Sequence, residues 1–324
     1  MKAWRGLGLA GAVAVGLAAL AAPPAAALFA PVERPPARAL EGPSTGLGEP
    51  AGLAYDGDGN LYVANVSTDT VTVYPAGARG DVAPLRTIGG PTTGLGDPHD
   101  LFVDRAGRLY VCNGEPDAIL VFAPGAGGDV APVRTIAGDA TRLTGPSGIS
   151  VTRQGRIVVT DLARRLGHRP AIQVYGVQAQ GDIAPIRQIK GASTRLDSPS
   201  GVVVDRRGRY YVTNYGADSI TVFGRRADGD ARPIRVVRGS RTWLNHPIDI
   251  DRDEARHLYV VNRNRTVTVY QPRVDGNRRP LAVLQGDATR LQFPSGLALD
   301  DAGRFSVTEY DNDVVLTFRP LVRG

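Results

Sequence analysis

The sequence predicts an all-β protein, a six-bladed β-propeller of four-stranded blades. Three observations predict it. A proline opens a recurring segment at Pro50, Pro98, Pro146, Pro199, Pro247 and Pro294, spaced by 48, 48, 53, 48 and 47 residues, and self-similarity at such a period marks a propeller or a solenoid. Within each copy, short runs rich in Val, Ile, Thr, Tyr and Phe lie between turn residues, which is the pattern of strands. The last copy lacks its fourth strand, and a matching fragment stands at the other end of the chain.

The elements follow in chain order. Residues 1–27 read as a secretory signal, with Lys2 and Arg5 ahead of an uncharged run from Gly6 to Ala22 and small residues at Ala25, Ala26 and Ala27. Cleavage after Ala27 is expected, giving a secreted or periplasmic protein. No cysteine stands near that site to accept a lipid, and no later stretch approaches the roughly 18 apolar residues that span a bilayer. The GLGLAG at 6–11 lies inside the apolar run with no strand before it, so it is not a dinucleotide loop. Residues 28–35 are a short lead, 36–320 one propeller, and 321–324 a tail.

Each repeat begins with a short strand after its proline, as in GLAYD at 52–56 and GVVVD at 201–205. A turn follows, then a second strand such as LYVAN or YYVTN, and a third that ends in an aromatic, as in VTVY at 71–74 and ITVF at 220–223. The fourth is a Pro-x-Arg-x-apolar-x-Gly run, seen at Pro84–Gly90 and three later places, with Ala282 replacing the Arg in the fifth copy. A leading proline lacks an N–H and suits an edge strand. The sixth copy stops at Phe318, while Pro36–Gly42 fits the missing register. A ring closed by that N-terminal strand explains both ends, whereas a linear array would need polar caps.

Composition narrows the function classes. The 324 residues are 42% hydrophobic and 22% charged, with 40 Gly, 24 Pro and one Cys. A lone Cys112 excludes a disulfide framework and thiolate-built metal sites, and its place among small strand residues marks it as a buried, inert thiol. The net charge of +6, or about +4 without the signal, is scattered and almost all Arg. That spread reads as a solvated surface, and no nucleic-acid partner is expected.

The motif set resembles the NHL-type repeat and, more loosely, the gluconolactonase-like and strictosidine-synthase-like propellers, over nearly the whole mature chain. The resemblance implies a ligand face over the central channel. On that face the second strands end in Asn65, Asn113, Asp161, Asn214, Asn262 and Glu309, a ring of oxygens of the kind that suits calcium or another divalent cation. The same residues also suit capping of the following turn. Gluconolactonase-like enzymes hold a divalent cation with a first-blade Glu and later Asn or Asp, and Glu49 with Asn113, Asn214 and Asn262 is similar to that set. NHL-type propellers include an amidating lyase with a histidine-bound zinc, to which only His99 here corresponds. Neither pattern is complete.

Departures from the repeat are the sharper signal. Two residues after the blade-opening proline, four copies carry Gly, but blades two and five carry Asp100 and Asp249, each with a histidine nearby, His99 and His246. A carboxylate in place of Gly needs partners or water, so these four residues are candidates for a metal, an acid–base pair, or bonds to loop backbone. Arg164, Arg165 and Arg169 in the long loop of blade three, with Arg263 in blade five, suit a small anionic ligand or a protein partner. The leading expectation is an exported, monomeric, non-catalytic binding propeller. The second is a divalent-metal-dependent, lactonase-like hydrolase, and the third a lyase, each with its site at the channel mouth.

Overall fold

The computed structural model describes residues 30–164 and 167–322, so the segment expected to be a secretory signal and Arg165 lie outside the described residues. Six four-stranded sheets make six blades; five have their strands in sequence order from the channel outward, and the sixth takes its outermost strand from the N-terminal side of the sequence. The inner strands run Pro50–Tyr55, Pro98–Val103, Pro146–Val151, Pro199–Val204, Pro247–Arg252 and Pro294–Leu299. All pairing within the blades is antiparallel, as the short turns between consecutive strands require.

The ring closes as the two ends of the sequence imply. Arg38–Leu40 pairs with Val314–Phe318, with Arg38 opposite Thr317 and Leu40 opposite Val315. The closure extends further back than a single strand. Between blades, an acidic or amide side chain from one blade caps the short 3-10 turn after the previous outer strand: Asp129 accepts the Thr92 N–H at 2.7 Å and Asp230 that of Ser193 at 2.7 Å. After the fifth blade the same task falls to Glu33, whose carboxylate accepts the Ala288 N–H at 3.0 Å, while Val32 bridges to Leu284. Val32 and Glu33 of the lead therefore contribute to the last inter-blade joint.

The repeat's signature residues hold each blade together. The Arg of the outer strand reaches across two strands to a tyrosine hydroxyl, as Arg86 does to Tyr62 at 2.8 Å and Arg235 to Tyr211 at 3.0 Å. The aromatic ending the third strand is fully buried, and where it is tyrosine its hydroxyl donates to the segment entering the blade: Tyr74 to Thr45 O and Tyr270 to Thr242 O, both at 2.6 Å. A tyrosine buried this way fills the core and satisfies its one polar atom. Between the blades the apolar residues of facing sheets form the core, with Val71 and Val111 in one cluster and Tyr259 of blade five 5.3 Å from Phe305 of blade six, ring centre to ring centre.

Candidate functional site

The inner strands converge on a channel whose waist is set by Asp100 and Asp249. Both residues line two spaces, a mouth of about 200 Å³ and a lower cavity of about 140 Å³. In three of the Gly blades, a second-strand threonine relays between neighbouring inner strands. Thr213 accepts the Gly201 N–H at 2.8 Å and donates to Ile248 O of the next blade at 3.1 Å; Thr160 and Thr308 do the same. In the Asp blades that threonine is replaced by Cys112 and Val261, which stand directly opposite Asp100 and Asp249. There the carboxylate supplies the joint itself. Asp100 accepts Leu101 N–H and, from the next blade, Ile149 N–H, both at 2.8 Å; Asp249 accepts Ile250 N–H at 2.7 Å and Leu297 N–H at 2.8 Å.

Burial dominates the electrostatics of this waist. It pushes Asp100 well above the usual carboxylate range, with the charge of Asp249 adding to the effect, and it raises Asp249 to about 7. A third carboxylate, Asp251, lies one turn of the strand deeper, accepts Arg252 N–H at 2.7 Å and Leu299 N–H at 2.8 Å, and is raised by burial to about 6. Sequence reasoning passed over Asp251. The signal was available, because the other five inner strands carry Ala54, Phe102, Ser150, Val203 and Ala298 at that place.

Above the waist, His99 lines the mouth. Its Nε2 is 3.2 Å from Asp97 Oδ2 and 3.0 Å from an Arg164 nitrogen, and burial lowers its pKa, so the ring stays neutral. The equivalent positions in other blades supply Ser147 and Ser295, whose hydroxyls have no side-chain or backbone partner among the described residues, and Ser200, whose hydroxyl donates to Pro247 O at 3.0 Å. Tyr310 completes the rim and donates to Glu49 Oε2 at 2.9 Å. His246 does not join this group. Its ring packs against Tyr215 at a tilt of 59° with ring centres 4.8 Å apart, outside the mouth.

The oxygens at the ends of the second strands are turned into the blades. Asn113 accepts Gly96 N–H at 2.8 Å and donates to Glu115 O and Pro116 O, both at 3.0 Å. Asn214 bonds Asp197 N–H and Thr221, and Asn262 bonds Asn245 N–H and Thr268. Asp161 accepts from the Thr144 N–H and hydroxyl at 2.8 Å each, and Glu309 from Gln292 and Phe293 N–H at 2.7 and 2.8 Å. All five are buried, one to a blade. Among the described residues no three His, Cys, Asp or Glu side chains come together as a metal cage. The basic residues also disperse: Arg164 stands at the mouth, Arg169 lines a separate cleft with Arg142 and Lys190, and Arg263 is exposed. Cys112 is buried and its thiol is pushed well up by burial, as a structural cysteine requires.

With this geometry in place, the family model described as lactonase, 7-bladed beta-propeller, matches residues 53–235, more than half of the chain. The chain belongs to the lactonase propeller family. It is a six-bladed member, since its ring closes with one blade fewer than that description. No curated protein matches this lactonase-family chain significantly. Among solved structures, the WD40 propeller domain of Doa1 superposes with a TM-score of 0.57 at 14% identity, covering 83% of this chain and 78% of that one. A streptogramin B lyase structure superposes at 0.50 and 14% identity, covering 87% and 86%. Both share the fold with this lactonase-family propeller.

Proposed function

We propose that this lactonase-family propeller is exported and binds a small, uncharged, hydroxyl-rich ligand in its channel mouth. The observation that carries this reading is the floor of the mouth, where both Asp100 and Asp249 line the space and burial shifts their carboxyl groups toward the neutral form, helped by the charge of Asp249 at Asp100 and of Asp251 at Asp249. Such a floor offers an anion no positive charge and exchanges hydrogen bonds with hydroxyls. The unpartnered hydroxyls of Ser147 and Ser295 and the imidazole of His99 extend the same chemistry up the walls. A mouth of about 200 Å³ suits a single ring rather than a polymer. The strand-end side chains cap their own loops, with Glu309 using Oε2 for this and leaving Oε1 without a partner among the described residues, which supports recognition by the mouth side chains rather than by a cation held in the ring.

The family match favours a second reading, hydrolysis of a lactone in the same mouth. In that reading the His99 imidazole takes a proton from water as that water's oxygen bonds to the lactone carbonyl carbon, and returns it to the ring oxygen as the C–O bond breaks. Two assays separate the readings. Binding is measured calorimetrically with a neutral sugar lactam, the non-hydrolysable mimic, and ring opening of the lactone by base consumption at fixed pH. The binding reading expects lactam affinity without acceleration. Hydrolysis expects acceleration that His99→Gln removes while lactam binding persists. Absence of lactam binding defeats both.

A further inference from the structure

On the face opposite the mouth, where first strands turn into second strands, blades three and four enclose a cavity of about 400 Å³. Arg153, Arg156 and, from the outer strand, Arg187 reach it from blade three, Arg206, Arg207, Arg225 and Arg226 from the two turns of blade four, and Asp205 is the one acidic residue in its lining. That carboxylate is already committed, at 2.6 Å, to Arg209. The charge that looks scattered along the sequence is therefore gathered here by the ring.

The repeat itself shows that the cluster is a departure. The first turn of the other blades opens with an acid that pairs with the residue four places on: Asp104 with Arg108 at 2.7 Å, Asp253 with His257 at 2.7 Å, Asp300 with Arg304 at 2.6 Å, and Asp56 with Asn60 at 2.9 Å. Blade three has Thr152 instead. Its hydroxyl still accepts the Arg156 N–H at 3.0 Å, as Asp104 accepts that of Arg108 at 3.0 Å, so the turn keeps its cap. Only the charge is gone, and Arg156 loses the carboxylate its counterparts have. A substitution that preserves the turn and strips the counter-charge beside six other arginines opposes local electrostatics, and such conflicts mark functional positions.

We propose that this cavity is an anion site for a ligand bearing several phosphate groups. Arginine forks match pairs of phosphate oxygens, and several forks converging from three turns favour clustered charge over a single carboxylate. The volume falls within the range of small-ligand sites. Both a free polyphosphorylated molecule and a phosphate-bearing lipid surface present this chemistry.

The test titrates the full protein with tripolyphosphate at low salt. Saturable one-to-one binding that weakens with added salt is expected, together with at least a tenfold loss in Arg206→Gln/Arg207→Gln. A second variant, Thr152→Asp, restores the residue type most blades carry, keeps the turn cap, and is expected to fold normally while also weakening binding. Sedimentation with phosphatidylglycerol vesicles, against phosphatidylcholine alone, identifies a lipid source if the protein pellets and tripolyphosphate releases it, and a free ligand if it stays in solution. No saturable tripolyphosphate binding, or binding that neither variant weakens, overturns the proposal.

Discussion

A Cβ on Gly52 would lie 2.5 Å from Asp100 Cα and 2.7 Å from its Oδ1 in the neighbouring blade, so the glycine of blade one admits the inner strand of blade two, backbone and carboxylate together. Gly201 stands in the same relation to Asp249 across the ring. The two features of the repeat, a glycine in one copy and its loss in the next, are thus one joint. Gly52→Ala forces atoms together where backbone and carboxylate cannot both yield, and is expected to cost about 1–3 kcal/mol, read from urea denaturation. An unchanged midpoint would contradict this fit.

The Asp and Gly blades use alternative joints, which makes them interconvertible by design. Asp100→Gly alone leaves Ile149 N–H without its acceptor and gives the new glycine no hydroxyl to bond, so a loss of about 1–3 kcal/mol is expected. Adding Cys112→Thr supplies the relay seen at Thr160 and is expected to recover part of that loss. The double variant being no more stable than the single one would show that the joints are not equivalent.

Ring closure rests on residues far apart in sequence. Removing residues 28–42 strips Leu40, which is 2% exposed, from its place beside Val315, and takes away the cap that Glu33 provides. Burial of one leucine is worth about 1.5–3 kcal/mol, and the edge strand adds its ladder bonds. The melting temperature of the truncated protein is expected to fall by more than about 5 °C, and an unshifted melting curve would refute closure by this strand.

The waist also makes stability depend on pH. Asp249 at about 7 and Asp251 at about 6 hold protons in the folded state that the unfolded chain, with carboxyl groups near about 4, releases earlier. The unfolded state binds fewer protons across that window, so their contribution falls as pH rises from about 4 to about 7 and is level above it. His99, lowered by burial, works in the opposite direction below about 6.5. Comparing urea midpoints of the wild type and Asp249→Asn from pH 4 to 8 isolates the carboxyl term, and the variant is expected to lose stability less steeply with rising pH. Parallel slopes would mean that Asp249 does not titrate in that range.

Most of the architecture was legible because a propeller repeats each instruction six times, so the strands, the turn glycines and the split blade could be read by comparing copies. The same comparison exposed Asp100 and Asp249. What it did not expose was partnership between copies. Asn113 and Glu309 looked alike as cation ligands and as caps, and only the inward turn of each side chain toward its own loop separates the two. The pairing of Asp100 with an absent threonine at Cys112 was invisible for a similar reason, since each residue alone is unremarkable in a strand. Asp251 and the arginines around Thr152 were missed where one copy was read without setting its inner strand or first turn against the other five.

The central claim, that a small uncharged ligand binds over the carboxyl waist, is tested most directly by a crystal structure of the protein soaked with the sugar lactam in the presence of a chelator. The account predicts the lactam in the mouth, with its hydroxyls within hydrogen-bond distance of Ser147, Ser295 and Asp100. A mouth left empty at saturating lactam, or occupancy that appears only when a divalent cation is supplied, would contradict it.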